Sequence, residues 1–277
     1  MKNYSYVITR TPLRVSFLGG GTDFEYFYKN YGGSVINSAI NKYVYVTIKR
    51  HSKYFNENYR LNYSKSETQD KLTNVKNNII RECLKITNTK FPIYISTIAD
   101  VPSGSGLGGS SSFTVGLLNG LYAIKGRKIS KKKLFNLACK VEIDILKQPI
   151  GKQDQLAATY GGLRYIKFNK NKKLIIKKIK SYKNIFNKMR IFWTGSSRNA
   201  SEVLKDQKKN LSKNISNLKE IKKISDYFYK NTRVKKKIDL KLLGNLMFKS
   251  WERKKQLSKK IPNFKADKLI KNSIKLN

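Results

Sequence analysis

One stretch constrains this chain more than any other: Asp100-Val101-Pro102-Ser103-Gly104-Ser105-Gly106-Leu107-Gly108-Gly109-Ser110-Ser111-Ser112. Four glycines and five serines lie between Phe91 to Ile98, which reads as a strand, and Phe113 to Ala123, whose apolar spacing is helical. Glycine takes positive φ and lets a ligand come close to the backbone. Serine caps a helix start and supplies a hydroxyl. The first N–H groups of a helix have no partner inside it, so a loop of this kind at a helix start holds phosphate. Successive amides can also wrap an anion in a nest. No Gly-Lys-Ser/Thr follows, so this is not the P-loop pattern. A flexible linker is the alternative reading, but Asp100-Val101-Pro102 and Phe113-Thr114-Val115 bound the loop with structured sequence.

Two more segments carry chemistry. In Thr11-Pro12-Leu13-Arg14-Val15-Ser16-Phe17-Leu18-Gly19-Gly20-Gly21-Thr22-Asp23, three consecutive glycines end an apolar strand. The gap lets a small polar ligand lie against the main chain, and Asp23 can accept hydrogen bonds from sugar hydroxyls. Arg14 is the charged residue of an otherwise apolar or small-residue strand. The alternative is a strand turn with a helix cap at Thr22 or Asp23. In Gly151-Lys152-Gln153-Asp154-Gln155, an acid beside two amides and a lysine can orient and deprotonate a hydroxyl, and Glu142 lies on the preceding helix. Here the alternative is a helix N-cap at Asp154 with a glycine stop at Gly161.

Around these segments the periodicity predicts extended chain at Val7 to Arg10 and Leu13 to Phe17, and a strand over Lys42 to Arg50. Helices are expected over Leu72 to Ile86 and over Ser130 to Leu146, the latter capped by Ser130. Lys172 to Lys180 reads as an edge strand and Met189 to Thr194 as another short strand. From Ser197 to about Leu257 the pattern is lysine-rich helix, with Val203, Leu204, Leu211, Ile215 and Leu218 in one stripe. The texture changes near 170–185, and no internal repeat is present.

Composition narrows the class. The 277 residues carry 59 Lys and Arg against 17 acids, a formal charge of +42. Such a field attracts polyanions. The lysines are scattered, however, and accompany Asn, Ile and Tyr, the residues of AT-rich codons, so no specific nucleic acid is expected. One histidine, His51, excludes an imidazole-built zinc site and a histidine-based triad in which a second histidine serves. Two cysteines make no disulfide framework. No apolar run approaches the ~20 residues of a membrane span, and the N-terminus has no signal core. A cytoplasmic protein without membrane partners is expected.

Together and in this order, the three segments resemble the GHMP kinases, the superfamily of galactokinase, homoserine kinase, mevalonate kinase and phosphomevalonate kinase. The family's central motif is Pro-x-x-x-Gly-Leu-Gly-Ser-Ser-Ala. Pro102 to Ser111 is similar to it, with Gly109 in place of the first serine and Ser111 in place of the alanine. TPLRVSFLGGGTD and IGKQDQLAATYGG are most similar to the sugar-kinase branch that takes D-glycero-α-D-manno-heptose 7-phosphate. Galactokinases usually read Gly-Glu-His-Thr-Asp where this chain has Gly19 to Asp23.

The resemblance implies an α+β, two-domain GHMP kinase fold. An N-terminal α/β domain over 1–175 would bind ATP and sugar, and a C-terminal α/β sandwich domain would cover 176–277. It implies transfer of the γ-phosphoryl of Mg-ATP to the anomeric hydroxyl of a sugar or sugar phosphate. Pro102, Gly104, Ser105, Gly106, Leu107, Gly108, Gly109, Ser110 and Ser111 would hold ATP. Ser110 and Glu142 would hold magnesium. Asp154 would serve the acceptor hydroxyl as base or electrostatic orienter, and Arg14 would lie near the transferring phosphate. Gly20, Gly21, Thr22 and Asp23 would contact the sugar. A third, glycine-rich family motif is expected where this sequence reads Ile274-Lys275-Leu276-Asn277. The expected C-terminal sandwich is therefore incomplete, and a catalytically impaired or split kinase is the alternative to an active one. A basic nucleic-acid-binding protein is the weaker rival.

Overall fold

The computed structural model describes residues 4–52, 54–171, 173–180, 183–194, 206, 211–235, 238–258, 261 and 264–275. Lys172, Ser197 to Leu204, Lys236, Lys237, Leu276 and Asn277, on which some expectations fall, lie outside them. The chain forms two units that alternate along the sequence. The first takes Met1–Val15, Ala39–Gln148 and Asp154–Gly161; the second takes Ser16–Ser38, Pro149–Gln153 and Gly162–Asn277.

In the first unit, β1 (Tyr6–Leu18) joins the two extended stretches read on either side of Pro12. β2 (Gly33–Arg50) pairs antiparallel over Val44 to Arg50 with β5 (Ile93–Ala99). β5 runs parallel to β3 (Tyr59–Asn62), and β3 is antiparallel to β4 (Ser66–Gln69), so this is a mixed sheet. The alternation over Lys42 to Arg50 becomes a buried face of Val44, Val46 and Ile48. The helix expected over Leu72 to Ile86 divides into a 3₁₀ turn, Leu72–Asn74, and α2 (Asn78–Ile86). Asn77 is the reason: its side chain accepts from the Ile80 N–H at 3.1 Å and starts a new helix. α3 (Gly109–Ala123) follows the glycine loop. Its Gly116 and Gly120 let β1 and β2 approach, since a Cβ there would lie 2.6 Å from Thr11 Oγ1 and 2.6 Å from Ile48 Cδ1. α4 (Lys131–Cys139) is capped by Ser130. It does not continue regularly to Leu146, because Lys140–Ile145 is a π-helical turn. α5 (Gln153–Tyr160) completes this unit from Asp154 onward. Leu13, Leu61, Leu84, Ile95, Leu118 and Leu121 are wholly buried in its core.

In the second unit, Gly33 to Ser38 of β2 pair antiparallel with β6 (Leu163–Phe168), and β6 pairs with β7 (Leu174–Lys178), the expected edge strand. Met189 to Thr194 form no strand. No described strand pairs with them, and Ile191, Phe192 and Trp193 are exposed. A run of apolar residues becomes a strand only when its backbone finds a ladder partner. The helices are α1 (Glu25–Tyr31), α6 (Lys183–Lys188), α7 (Leu211–Lys235), α8 (Leu240–Lys255) and α9 (Phe264–Lys275). On α7 the buried positions Asn214, Leu218, Ile221, Ser225, Phe228 and Thr232 recur at intervals of three and four, so one stripe faces inward. Leu218 and Ile221 meet Phe27, Leu257 and Ile261, with Trp251 packed against them. Tyr165 of β6 stacks on Tyr229 of α7, with centroids 3.8 Å apart, and donates to Asp226 at 2.7 Å. Among the described residues no helix is long and apolar enough to cross a membrane.

Candidate active site

The glycine loop is held at both ends within the first unit. Asp100 accepts from the Tyr43 N–H at 2.8 Å and fixes the exit from β5. The Ser112 hydroxyl donates to Pro12 O at 2.8 Å and ties the start of α3 to β1. Between them Gly104, Gly106 and Gly108 have φ of 75°, 75° and 78°. This is the left-handed region, where a side chain costs free energy. Gly108 is the N-cap of α3 and has no side chain to satisfy the first amides. Those N–H groups are left for an anion. Pro102, Gly104, Gly106, Gly109 and Ser110 are exposed, and Ser105, Leu107 and Gly108 are partly so. Ser111 is buried, so only its backbone can serve a ligand outside the helix.

Arg14 links this loop to the acid of α5. Its Nε donates to Asp154 Oδ1 at 2.7 Å and its Nη2 to Oδ2 at 2.6 Å, a bidentate pair. Its Nη1 donates to Gly106 O at 2.6 Å, and its backbone N–H to Leu107 O at 2.9 Å. Gly108 fits beneath: a Cβ there would lie 3.2 Å from Arg14 Cγ and 3.3 Å from Asp154 Oδ2. Each carboxylate oxygen keeps lone-pair capacity for a further donor. Asp154 is therefore in the first turn of α5, and its side chain pairs with Arg14 rather than capping the helix.

Glu142 sits in the π-helical turn, wholly buried. Ser110 Oγ donates to its Oε1 at 3.1 Å, and Gln155 Nε2 to its Oε2 at 2.7 Å. Burial raises its carboxyl to about 7; the hydrogen bonds from Gln155 and Ser110 oppose that, and the nearby Asp154 charge adds to it. A buried carboxylate oxygen beside an exposed hydroxyl at a helix N-terminus fits a hard cation shared with phosphate oxygens, so the residues present suit magnesium. Among the described residues no group of three or more His, Cys, Asp or Glu forms an all-protein cage.

The other expected residues lie in the second unit. Gly19, at φ 82°, would place a Cβ 1.9 Å from Ser34 O, so only glycine fits. The Thr22 hydroxyl is buried, 2.8 Å from Gly19 O and 2.9 Å from Ser34 O, and accepts from the Ser34 N–H at 3.0 Å. Asp23 is 1% exposed. It accepts from the N–H groups of Gly21 at 3.2 Å and Gln153 at 3.1 Å. Gly151 packs directly on it, with room for no Cβ: one would lie 1.9 Å from Asp23 Oδ2. Thr22 and Asp23 thus shape the turn from inside, and Gly20 and Gly21 are its partly exposed surface. The Tyr26 hydroxyl is pushed up to about 12 by burial and by Asp23. Sequence reasoning attached no role to Gln155 individually, though it flanks Asp154.

The chain is similar to known proteins over much of its length. The GHMP kinases N terminal domain matches residues 75–162. The D-glycero-alpha-D-manno-heptose 7-phosphate kinase of Campylobacter jejuni is 30% identical over 96% of this chain and 82% of its own length. The galactokinase of Pyrococcus furiosus is 30% identical over 70% of this chain and 54% of its own. Among solved structures, a D-glycero-D-manno-heptose 1-phosphate kinase from Bacteriodes thetaiotaomicron superposes with a TM-score of 0.71 at 24% identity, covering 90% of this chain and 79% of that one. A mevalonate kinase gives 0.66 at 23% identity, covering 96% and 83%. At such identities the two structures speak to the fold alone.

Proposed function

The chain belongs to the GHMP kinases, small-molecule kinases that move a phosphate to an alcohol, and from that premise we propose that it phosphorylates the anomeric hydroxyl of a sugar phosphate, D-glycero-α-D-manno-heptose 7-phosphate, with ATP. The observation that carries the reading is the Arg14 clamp, in which one guanidinium binds both the Asp154 carboxylate and the carbonyl of Gly106 in the glycine loop.

In this reading the amides at the start of α3 and the left-handed glycines hold the ATP phosphates. Asp154 orients the acceptor hydroxyl and takes up its proton as the bond to the γ-phosphorus forms and the bond to the bridging oxygen of ADP breaks. Arg14 keeps Asp154 at a fixed place relative to the loop, so the protein contributes positioning and charge more than covalent chemistry. Glu142 and Ser110 would hold magnesium, which supplies charge neutralisation on the phosphate oxygens. The Gly20–Gly21 surface, shaped from within by Thr22 and Asp23, receives the sugar.

Phosphorus NMR of the product formed from heptose 7-phosphate and Mg-ATP tests the assignment. A new anomeric phosphate resonance supports it, and transfer to another hydroxyl, or to none, contradicts it.

A further inference from the structure

The Gly19–Asp23 turn has polar side chains gathered around one bare α-carbon. A Cβ placed on Gly20 would lie 3.2 Å from Ser16 Oγ, 3.7 Å from Gln153 Nε2 and 3.7 Å from Lys254 Nζ. These groups come from three elements, the end of β1, the start of α5 and the last turn of α8. All belong to the second unit, and Gly20 is partly exposed, so the place they surround can be reached from solvent.

Gln153 supplies an independent sign of a ligand. Its Oε1 is buried and has no hydrogen-bond partner among the described residues. Its Nε2 reaches Asp23 Oδ1 at 3.4 Å, and its backbone N–H is held by Asp23 Oδ2. The amide is thus held by Asp23 while its carbonyl oxygen has no partner among the described residues. A hydroxyl from a bound molecule can satisfy it. Lys254 is half-buried at this turn. An ammonium, an unpartnered acceptor and a hydroxyl make the complement of a small molecule carrying both hydroxyls and an anionic group.

We propose that Ser16, Gln153 and Lys254 form the subsite for the non-transferring end of the substrate, with Gln153 Oε1 accepting from a sugar hydroxyl and Lys254 Nζ donating to the phosphate the sugar already carries. This rests on the sugar-kinase reading and adds to it the residue that separates phosphorylated from unphosphorylated sugars.

Calorimetric titration of heptose 7-phosphate and of the unphosphorylated heptose into the wild type, Lys254→Met and Lys254→Arg tests it without relying on turnover. Lys254→Met should weaken the sugar phosphate by about tenfold to a hundredfold, the range of a charge-assisted hydrogen bond, and the plain sugar by less than about twofold. Lys254→Arg should recover much of the loss. Gly20→Val, which leaves Lys254 intact, should abolish binding of both. Equal weakening of both sugars by Lys254→Met, or none, overturns the role of Lys254. Unchanged binding in Gly20→Val overturns the subsite. A wild type that phosphorylates a plain sugar but does not bind heptose 7-phosphate overturns the subsite and leaves the kinase standing. One that binds and phosphorylates no sugar overturns the kinase reading itself.

Discussion

Arg14 and Asp154, 140 residues apart in sequence, meet in a bidentate ion pair with N–O distances of 2.7 and 2.6 Å. Because the same guanidinium also donates to Gly106 O, the acid and the glycine loop share one anchor. The proposed phosphate cradle and the proposed proton acceptor are therefore both bound by one side chain.

That anchor depends on the fork of the guanidinium. Arg14→Lys keeps the charge but offers a point donor that cannot satisfy Asp154 and Gly106 in the same geometry. Turnover is expected to fall by about a hundredfold or more, on the scale of displaced catalytic groups, with the fold retained. Steady-state kinetics with circular dichroism checks it; a kcat near wild type would show that the clamp does not position the acid.

Gly108 is the tightest point beneath the clamp. Gly108→Ala puts a methyl at φ 78° and within 3.3 Å of the Asp154 carboxylate. The backbone term alone is about 1–2 kcal/mol, and ATP affinity should fall with it. A Cβ at Gly109 meets nothing within 4 Å, so Gly109→Ala should change the melting temperature little. Thermal melts of the two variants side by side give the comparison.

Glu142 makes stability depend on pH. Its carboxyl titrates near 7 in the fold against 4.5 for the ordinary group. Between these values the folded state holds a proton that the unfolded chain has lost, so stability declines as pH rises through that window and stays lower above it. The shift corresponds to something on the order of 3 kcal/mol. Glu142→Gln should flatten the decline and melt higher than wild type at about pH 8, while losing magnesium-dependent turnover. An unchanged pH profile would place the titration elsewhere.

Asp23 is predicted to act from inside the turn. Asp23→Ala removes the acceptor for the Gly21 and Gln153 N–H groups and should destabilise the protein by about 1–3 kcal/mol. Urea unfolding measures this. A loss of sugar affinity with undiminished stability would instead make Asp23 a direct ligand.

The residues most legible in the sequence are those whose chemistry is local. Gly104, Gly106 and Gly108 stand out because positive φ leaves few alternatives to glycine, and the run is bounded by a strand and a helix. Arg14 and Asp154 were separately conspicuous, but their pairing across 140 positions is a product of the fold. The burial of Glu142 follows from a π-helical turn that interrupts an otherwise regular amphipathic pattern, and one-residue insertions of that kind leave no period to read. β3 is four residues long, too short for alternation to register. Met189 to Thr194 show the converse, since a strand-like composition has no ladder partner there. Lys254 is distinguished only by where α8 brings it.

The charge of +42 carries its own prediction. Binding to duplex DNA should be weak and sequence-blind and should fall linearly with log salt. Filter binding across a salt series measures the slope; tight, sequence-specific binding at physiological salt would demand a second function.

Sugar-dependent ADP release from Mg-ATP, measured for the wild type and Asp154→Asn with heptose 7-phosphate among a panel of sugars, bears most directly on the whole account. The account predicts turnover that requires heptose 7-phosphate and falls by several orders of magnitude in Asp154→Asn, with ATP binding near that of the wild type. Folded wild-type protein that binds ATP but releases no ADP with any sugar, or an Asp154→Asn variant as active as its parent, would contradict it.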